Sequence, residues 1–370
     1  MLTWVTIRRN AIKHNIDQFK KIIGPNSLLM PVIKSNAYGH GFLEIAKICE
    51  TNNKVSRLCV ANLSEAIILR KNGFKKPIIV LTFYELDEAE ISAGIKHNII
   101  FPLYTREQAR VLNRVGERLR KKATVHFKID IGTSRIGILP SQLPDFLKRM
   151  KTCKFISVEG IYGHFASSED DAARTKEQLD LFKKACGEVA KAGFAVPWRH
   201  MACSAATILH AETHANAIRL GLGLYGLHPS HLTQPYIKLK PALSWLTTII
   251  QVKTVSSGTK IGYGGTYEAK KEMKIATLPV GYWDGYDRGW SNKAWVIAKG
   301  KRCPVVGRIS MNLTTIDVTA IKNIKAGDKA ILLGKDKGQS VSAEDLAAIT
   351  KTINYEVVTR INPTIARIVT

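Results

Sequence analysis

An α/β chain, with an N-terminal (β/α)8 TIM barrel followed by a mainly β C-terminal domain, is the fold class this sequence predicts. Three observations carry the prediction. Strand-like and helix-like segments alternate between residues 28 and 225, giving eight strand candidates, which suits a closed parallel barrel better than an open sheet. Beyond residue 236 the pattern changes to short, β-branched, alternating segments bounded by turn signals. Polar and charged side chains also fall at the C-terminal ends of five strand candidates, the end where barrels carry their active sites.

The barrel is read as residues 9–235 and the β domain as 236–370, with residues 1–8 added to the latter as a strand. Residues 10–23 form a helical pattern, because Ile12, Ile16, Phe19 and Ile23 recur at helical spacing before Gly24-Pro25-Asn26 stops it. Strand segments follow at 28–34, 57–62, 77–83, 99–104, 124–130, 155–164, 199–204 and 217–225. Helical patterns lie between them, at 42 onward, 64–72, 105–119 and 175–192. In the last, Leu179, Phe182, Cys186 and Val189 make one apolar stripe and Gly193 marks the stop. Pro229 and Pro235 leave little room for a helix after the eighth strand. In the second domain Thr247-Thr248-Ile249-Ile250-Gln251-Val252 is β-branched, and turns are marked by Ser257-Gly258, Gly264-Gly265 and Lys299-Gly300. A single short helix is expected there, near 343–350.

Composition narrows the function classes. The chain has 370 residues, 45% of them hydrophobic, yet no apolar run long enough to span a membrane. Its N-terminus places charges after the apolar residues, the reverse of a signal peptide. Six cysteines without a Cys-x-x-Cys pair read as reduced thiols, not disulfides or a zinc site, so a cytoplasmic location is expected and no metal. The net charge of +25 is spread along helical stretches instead of forming a dense block interleaved with aromatics. That distribution favours solvated helix faces over a nucleic-acid surface, and it attracts small carboxylates.

The organising stretch is Val32-Ile33-Lys34-Ser35-Asn36-Ala37-Tyr38-Gly39-His40-Gly41, where a buried strand is expected to end in Lys34 at the rim of the sheet. Partial desolvation there lowers an amine's pKa and favours the neutral nucleophile that forms a Schiff base with an aldehyde cofactor. A rim lysine that simply meets solvent is the plainer alternative. Lys128 and Asp130 end strand five, His164 strand six and Ser204 strand seven, while strand eight carries Arg219-Leu220-Gly221-Leu222-Gly223. Each alone has an innocent reading: a lone histidine in an apolar run is commonly a core residue, and the glycines can mark close packing. Their convergence on one mouth favours an active site.

Lys34-Ser35-Asn36-Ala37-Tyr38-Gly39-His40-Gly41 closely resembles the pyridoxal-phosphate lysine motif of bacterial alanine racemases, and the resemblance extends over essentially the whole chain. It implies a racemase that interconverts L- and D-alanine by a two-base mechanism on a pyridoxal 5′-phosphate aldimine, in a homodimer whose active sites are shared between chains. By that resemblance Lys34 carries the cofactor. Tyr38, Ser204, the N–H groups of Gly221 and Leu222, and Tyr355 hold its phosphate. Arg219 faces the pyridine nitrogen, where it supplies no proton and leaves the ring a weak electron sink. His164 bridges Arg219 and an active-site tyrosine. Arg135 helps to hold the cofactor's phenolic oxygen and the substrate carboxylate. Lys128 matches a lysine that is often carbamylated in this family. Tyr263, in Ile261-Gly262-Tyr263-Gly264-Gly265, matches the second base, supplied by the partner chain. Tyr282 and Met311 match residues at the substrate entrance and carboxylate.

Three positions depart from the family's commonest pattern: Cys203 for asparagine, Ser310 for cysteine and Asn312 for aspartate. They open the alternative of a broader racemase that accepts serine. A barrel-type decarboxylase would want an acid at position 219, and a barrel-only cofactor carrier would lack the second domain and Tyr263. A nucleic-acid-binding protein would account for the charge alone.

Overall fold

Short strands in which every residue is buried, such as Leu58–Val60, Ile78–Val80 and Ile99–Leu103, form only where both faces of a sheet are covered. The computed structural model describes residues 1–370 and places these strands in a unit made of residues 10–35 and 45–241. Eight parallel strands follow one another around it: Leu28–Pro31, Leu58–Val60, Ile78–Val80, Ile99–Leu103, Ala123–Lys128, Ile156–Tyr162, Trp198–His200 and Ala217–Leu220. The eighth pairs with the first in register Leu28 to Ala217 through Pro31 to Leu220. Between the first and second only isolated bridges form, Leu29 to Val55 and Val32 to Cys59, so the barrel is nearly closed.

The helices fall where the apolar periodicity places them, as in Arg9–Ile23, Leu63–Lys71, Arg106–Arg118 and Ala172–Lys191. Thr105 and Gln108 close a reciprocal capping box at the start of the third of these. A helix also starts at Phe42 as expected, whereas Glu88–Lys96, Leu143–Met150 and Ser204–Leu209 were not singled out from the sequence. Only 3₁₀ turns, Leu222–Tyr225 and His231–Thr233, follow the eighth strand.

Strands end earlier than the sequence suggests, and this corrects the placement of several site residues. Pro31 cannot donate to a ladder, and the Val32 carbonyl takes its hydrogen bond from the Tyr225 hydroxyl at 2.8 Å. Beyond Pro31 single donations remain, Val32 N–H to the Leu220 carbonyl and Ile33 N–H to the Cys59 carbonyl, and Lys34 does not end the strand but opens the short turn Lys34–Tyr38. In that turn Ser35, Asn36, Ala37 and Tyr38 have φ of 54°, 54°, 51° and 54°, a left-handed winding without a single glycine. His164 lies two residues beyond its strand, and Ser204 opens the helix Ser204–Leu209.

Residues 1–9, 36–44 and 242–370 form the second unit. Its main sheet sets Thr3–Ile7 antiparallel to Leu243–Thr248 and parallel to Ala366–Val369. A smaller sheet joins Gln251–Val255, Met273–Leu278 and Thr314–Asp317. Helix Ala343–Thr350 is present where expected, and a second, Asn354–Thr359, follows it. All six cysteines are free, and no helix is long and apolar enough to cross a membrane.

Two glycines of similar φ separate backbone strain from crowding. Gly193 (φ +88°) faces open space, whereas a Cβ on Gly226 (φ +82°) would lie 1.9 Å from the Lys240 carbonyl oxygen. Gly193→Ala should cost about 1 kcal/mol, and Gly226→Ala about 3 kcal/mol or more, read from thermal and urea unfolding. Equal losses would show that the Lys240 contact is not rigid.

Candidate active site

At the barrel's C-terminal end, position is set by hydrogen bonds from backbone to carboxylates. Asp130 accepts from the N–H groups of Gly132, Thr133, Ser134 and Arg135 at 3.0–3.1 Å, wrapping the 130–135 loop around one carboxylate. Burial alone would raise its pKa, but these four donors hold it below the usual value. The side chain of Arg135, at the end of the loop, is exposed. Glu65 plays the same part beside Lys34, accepting from Ser35 N–H at 2.8 Å and Ala61 N–H at 2.7 Å. Neither role is visible in a periodicity, although Asp130-Ile131-Gly132-Thr133-Ser134 is a turn-forming string.

Lys34 is half-buried, and burial together with the positive charges of Arg135 and Arg219 lowers its pKa against the opposing pull of Glu65. Lys128 is buried more deeply, with its ammonium 4.6 Å from the centre of the Tyr162 ring. Burial, then Arg219 and Arg135, push it down to about 7. Both lysines thus shed their protons more readily than free lysine.

Arg219 is 5% exposed and makes five contacts through its terminal nitrogens. They reach the Gly163, His200 and Met201 carbonyls, His200 Nδ1 at 2.7 Å and His164 Nδ1 at 3.3 Å. Its guanidinium also sits over the Tyr162 ring at 5.4 Å, while Tyr162 stacks on His200 with the planes 5° apart. Burial and the Arg219 charge drive both His164 and His200 well below the ordinary histidine pKa, so both are neutral acceptors. Tyr162 and His200 were missed from the sequence; their only signal was alternation toward the barrel interior.

Ser204 is buried, and its hydroxyl oxygen accepts from Gly221 N–H at 3.1 Å and Gly223 N–H at 3.2 Å. Two donors on the oxygen leave the hydroxyl hydrogen free to turn outward and strengthen it as a donor. A Cβ on Gly223 would meet Phe19 Cζ at 2.4 Å, so the approach of these N–H groups depends on glycine. Cys203 Sγ lies 3.3 Å from Ser168 Oγ.

The β unit carries the remaining residues. The rings of Tyr38 and Tyr355 are 6.1 Å apart. A Cβ on Gly39 would lie 1.9 Å from the Val358 carbonyl oxygen, so glycine is needed to seat Tyr38 against the Asn354–Thr359 helix. Tyr263 is 72% exposed on a 3₁₀ turn, Tyr263–Gly265, flanked by Gly262 and Gly264 at positive φ. Tyr282 and Trp283 donate their N–H groups to the carbonyls of Ser310 and Met311, tying two exposed segments together. Tyr282, Trp283 and Met311 are all exposed, as is Asn312.

Comparison with known proteins gives one answer across the chain. Residues 7–229 match the family model described as alanine racemase, N-terminal domain, and residues 242–369 the alanine racemase C-terminal domain. The chain is 40% identical to an alanine racemase of Methanococcus maripaludis over 99% of its own length and 98% of the relative's. Among solved structures it is similar to the alanine racemase of Clostridium difficile 630, with a TM-score of 0.93 at 33% identity, covering 100% of this chain and 96% of that one. The alanine racemase of Bacillus anthracis with bound L-Ala-P matches with TM-score 0.93 and 33% identity, over 100% and 95% of the two chains.

The Asp130 arrangement has a measurable consequence. Its contribution to stability is full above the unfolded carboxylate pKa and is lost as pH falls through its lower folded value. Asp130→Asn should remove one of the two anionic acceptor oxygens and raise amide exchange at residues 132–135 by about tenfold at neutral pH. It should also reduce the protein's loss of stability below pH 4. Unchanged exchange would show that the loop is held from elsewhere.

Proposed function

The chain belongs to the alanine racemase family, and on that premise we propose that it interconverts L- and D-alanine using pyridoxal 5′-phosphate, in the cytoplasm and as a homodimer. The observation that carries the reading is the combination of Lys34, with its lowered proton affinity, and Arg219, whose guanidinium is fixed by five contacts. The residues present fit the cofactor. Lys34 can present a neutral amine to an aldehyde. Ser204, polarised by two backbone donors, offers a hydroxyl to phosphate, with Leu222 N–H and the hydroxyls of Tyr38 and Tyr355 proposed as further donors. Gly221 N–H already donates to Ser204, so its proposed part acts through that hydroxyl. When bound, the cofactor would delocalise the electron pair left when the substrate's α-proton departs.

The rest is the work of this chain's own side chains. Arg219 stays protonated and donates without surrendering a proton, so it would hold the cofactor's ring nitrogen as an acceptor without protonating it. His164, neutral beside Arg219, is proposed to pass that orientation to the second base. Arg135 is assigned to the substrate carboxylate, with Met311 N–H as a second donor and Tyr282 at the entrance. Lys128, near 7, holds enough neutral amine at physiological pH to take up carbon dioxide, and the carbamate would place an anion among Lys34, Arg135 and Arg219.

Racemisation requires one acid–base group on each face of the α-carbon, because a single base returns the proton to the face it came from. Lys34 is assigned to one face and Tyr263 to the other, the latter from the partner chain. The 72% exposure of Tyr263 on its glycine turn supports a side chain placed to enter a neighbouring molecule.

Purified protein loaded with the cofactor should form D-alanine from L-alanine, and borohydride should fix the cofactor covalently to Lys34. Lys34→Ala should lose that attachment and about 10³-fold or more of the activity. Attachment that survives in the variant would assign another lysine. Two inactive variants, Lys34→Ala and Tyr263→Phe, mixed under subunit exchange should recover activity, because one site of each mixed dimer then has both native bases. Proven exchange without recovery would place both bases on one chain.

A further inference from the structure

We infer that Glu159, acting through His126 and His200, is a positioning residue for Arg219. The five side chains form one line through the barrel interior. Arg57 donates to Glu159 Oε1 at 2.7 Å. Glu159 Oε2 lies 3.6 Å from His126 Nε2, which has no hydrogen-bond partner of its own. His126 Nδ1 is 2.9 Å from His200 Nε2, and His200 Nδ1 is 2.7 Å from Arg219. Both imidazoles are fully buried.

The proton positions along this line are dictated by its ends. Arginine can only donate, so His200 Nδ1 must be bare. His200 is neutral, so its one proton sits on Nε2 and is given to His126 Nδ1. His126 is neutral by the same burial, which puts its own proton on Nε2, facing the carboxylate. Between Arg219 and Glu159 every donor therefore points toward the carboxylate. Burial would raise the Glu159 pKa, but His126 and Arg57 bring it down to about 2, so the terminus remains an acceptor at any working pH. A donor at that end would reverse His126, then His200, and leave Arg219 facing an N–H.

The backbone is built to allow it. The register of strands Ala123–Lys128 and Ile156–Tyr162 shifts between Val125 and His126, pairing them with Val158 and Gly160. Glu159 is thus the extra residue of a β-bulge, a device that re-aims a side chain. Gly160 completes it, since a Cβ there would meet the His126 ring at 2.7–2.9 Å. Trp198 then covers the Arg57 guanidinium, 5.2 Å from the ring centre.

This rests on the assignment of Arg219 to the cofactor ring, and the test keeps the two apart. Nitrogen-15 NMR of histidine-labelled, cofactor-free full-length protein should show both rings protonated at Nε2 and not titrating between pH 6 and 9. The signals are assigned by their loss in His126→Asn and His200→Asn. Glu159→Gln should populate the opposite tautomers and lower kcat about tenfold with KM little changed, the order that outer-shell partners carry elsewhere. Glu159→Asp should restore much of the loss. A protonated Nδ1 on His200 in the unaltered protein overturns the inference, as does a Glu159→Gln variant with unchanged tautomers. Should that variant fail to fold, the unaltered protein's tautomers still decide. Borohydride attachment at Lys34 separately reports the cofactor reading, so tautomers as expected without attachment would fault that reading alone.

Discussion

Positive charge crowded into a poorly solvated mouth is the constraint on which the site depends. Lys34, Lys128, Arg135 and Arg219 each act on the proton affinity of a neighbour, and burial magnifies the effect. Two arginines cannot lose their protons, so the lysines and histidines yield theirs. The arrangement is poorly balanced by acids: Asp130 is occupied with four backbone donors and Glu65 with two. Such a mouth is stabilised by whatever brings anions into it. A phosphate, a phenolate, a substrate carboxylate and a carbamate on Lys128 are all of that kind, and all belong to the proposed chemistry.

The barrel was legible because its strands are continuous apolar runs and its helices have clear apolar stripes. Strand ends were less so, since burial and single hydrogen bonds continue past the last paired strand residue, as where Val32 and Ile33 donate to the Leu220 and Cys59 carbonyls. At Val32 and Ile33 the chain is still buried, although the strand itself has ended. The helix Asn354–Thr359 was hidden for the opposite reason: it is too short for periodicity to register.

The site was legible where family motifs name residues, and opaque where geometry alone assigns the role. Lys34, Arg219 and Ser204 stand in recognisable strings. Glu65, Tyr162, His126, His200 and Glu159 do not, because their partners lie far away in sequence and depend on strand register. A one-residue shift at Val125 decides that His126 faces His200 at all. No single-segment pattern encodes that pairing.

The left-handed turn at residues 35–38 also marks where the chain leaves the barrel unit, which it rejoins after residue 44. Residues 1–9 belong to the same unit as residues 36–44, and its remaining strands begin only after residue 242. On the ribosome, residues 36–44 therefore emerge about 200 residues before the strands that make up most of their unit. At ordinary elongation rates that interval is roughly 10–40 s. Through it residues 36–44 are present without most of the unit to which they belong. The unit to which residues 36–44 belong can be completed only after nearly the whole chain has been made.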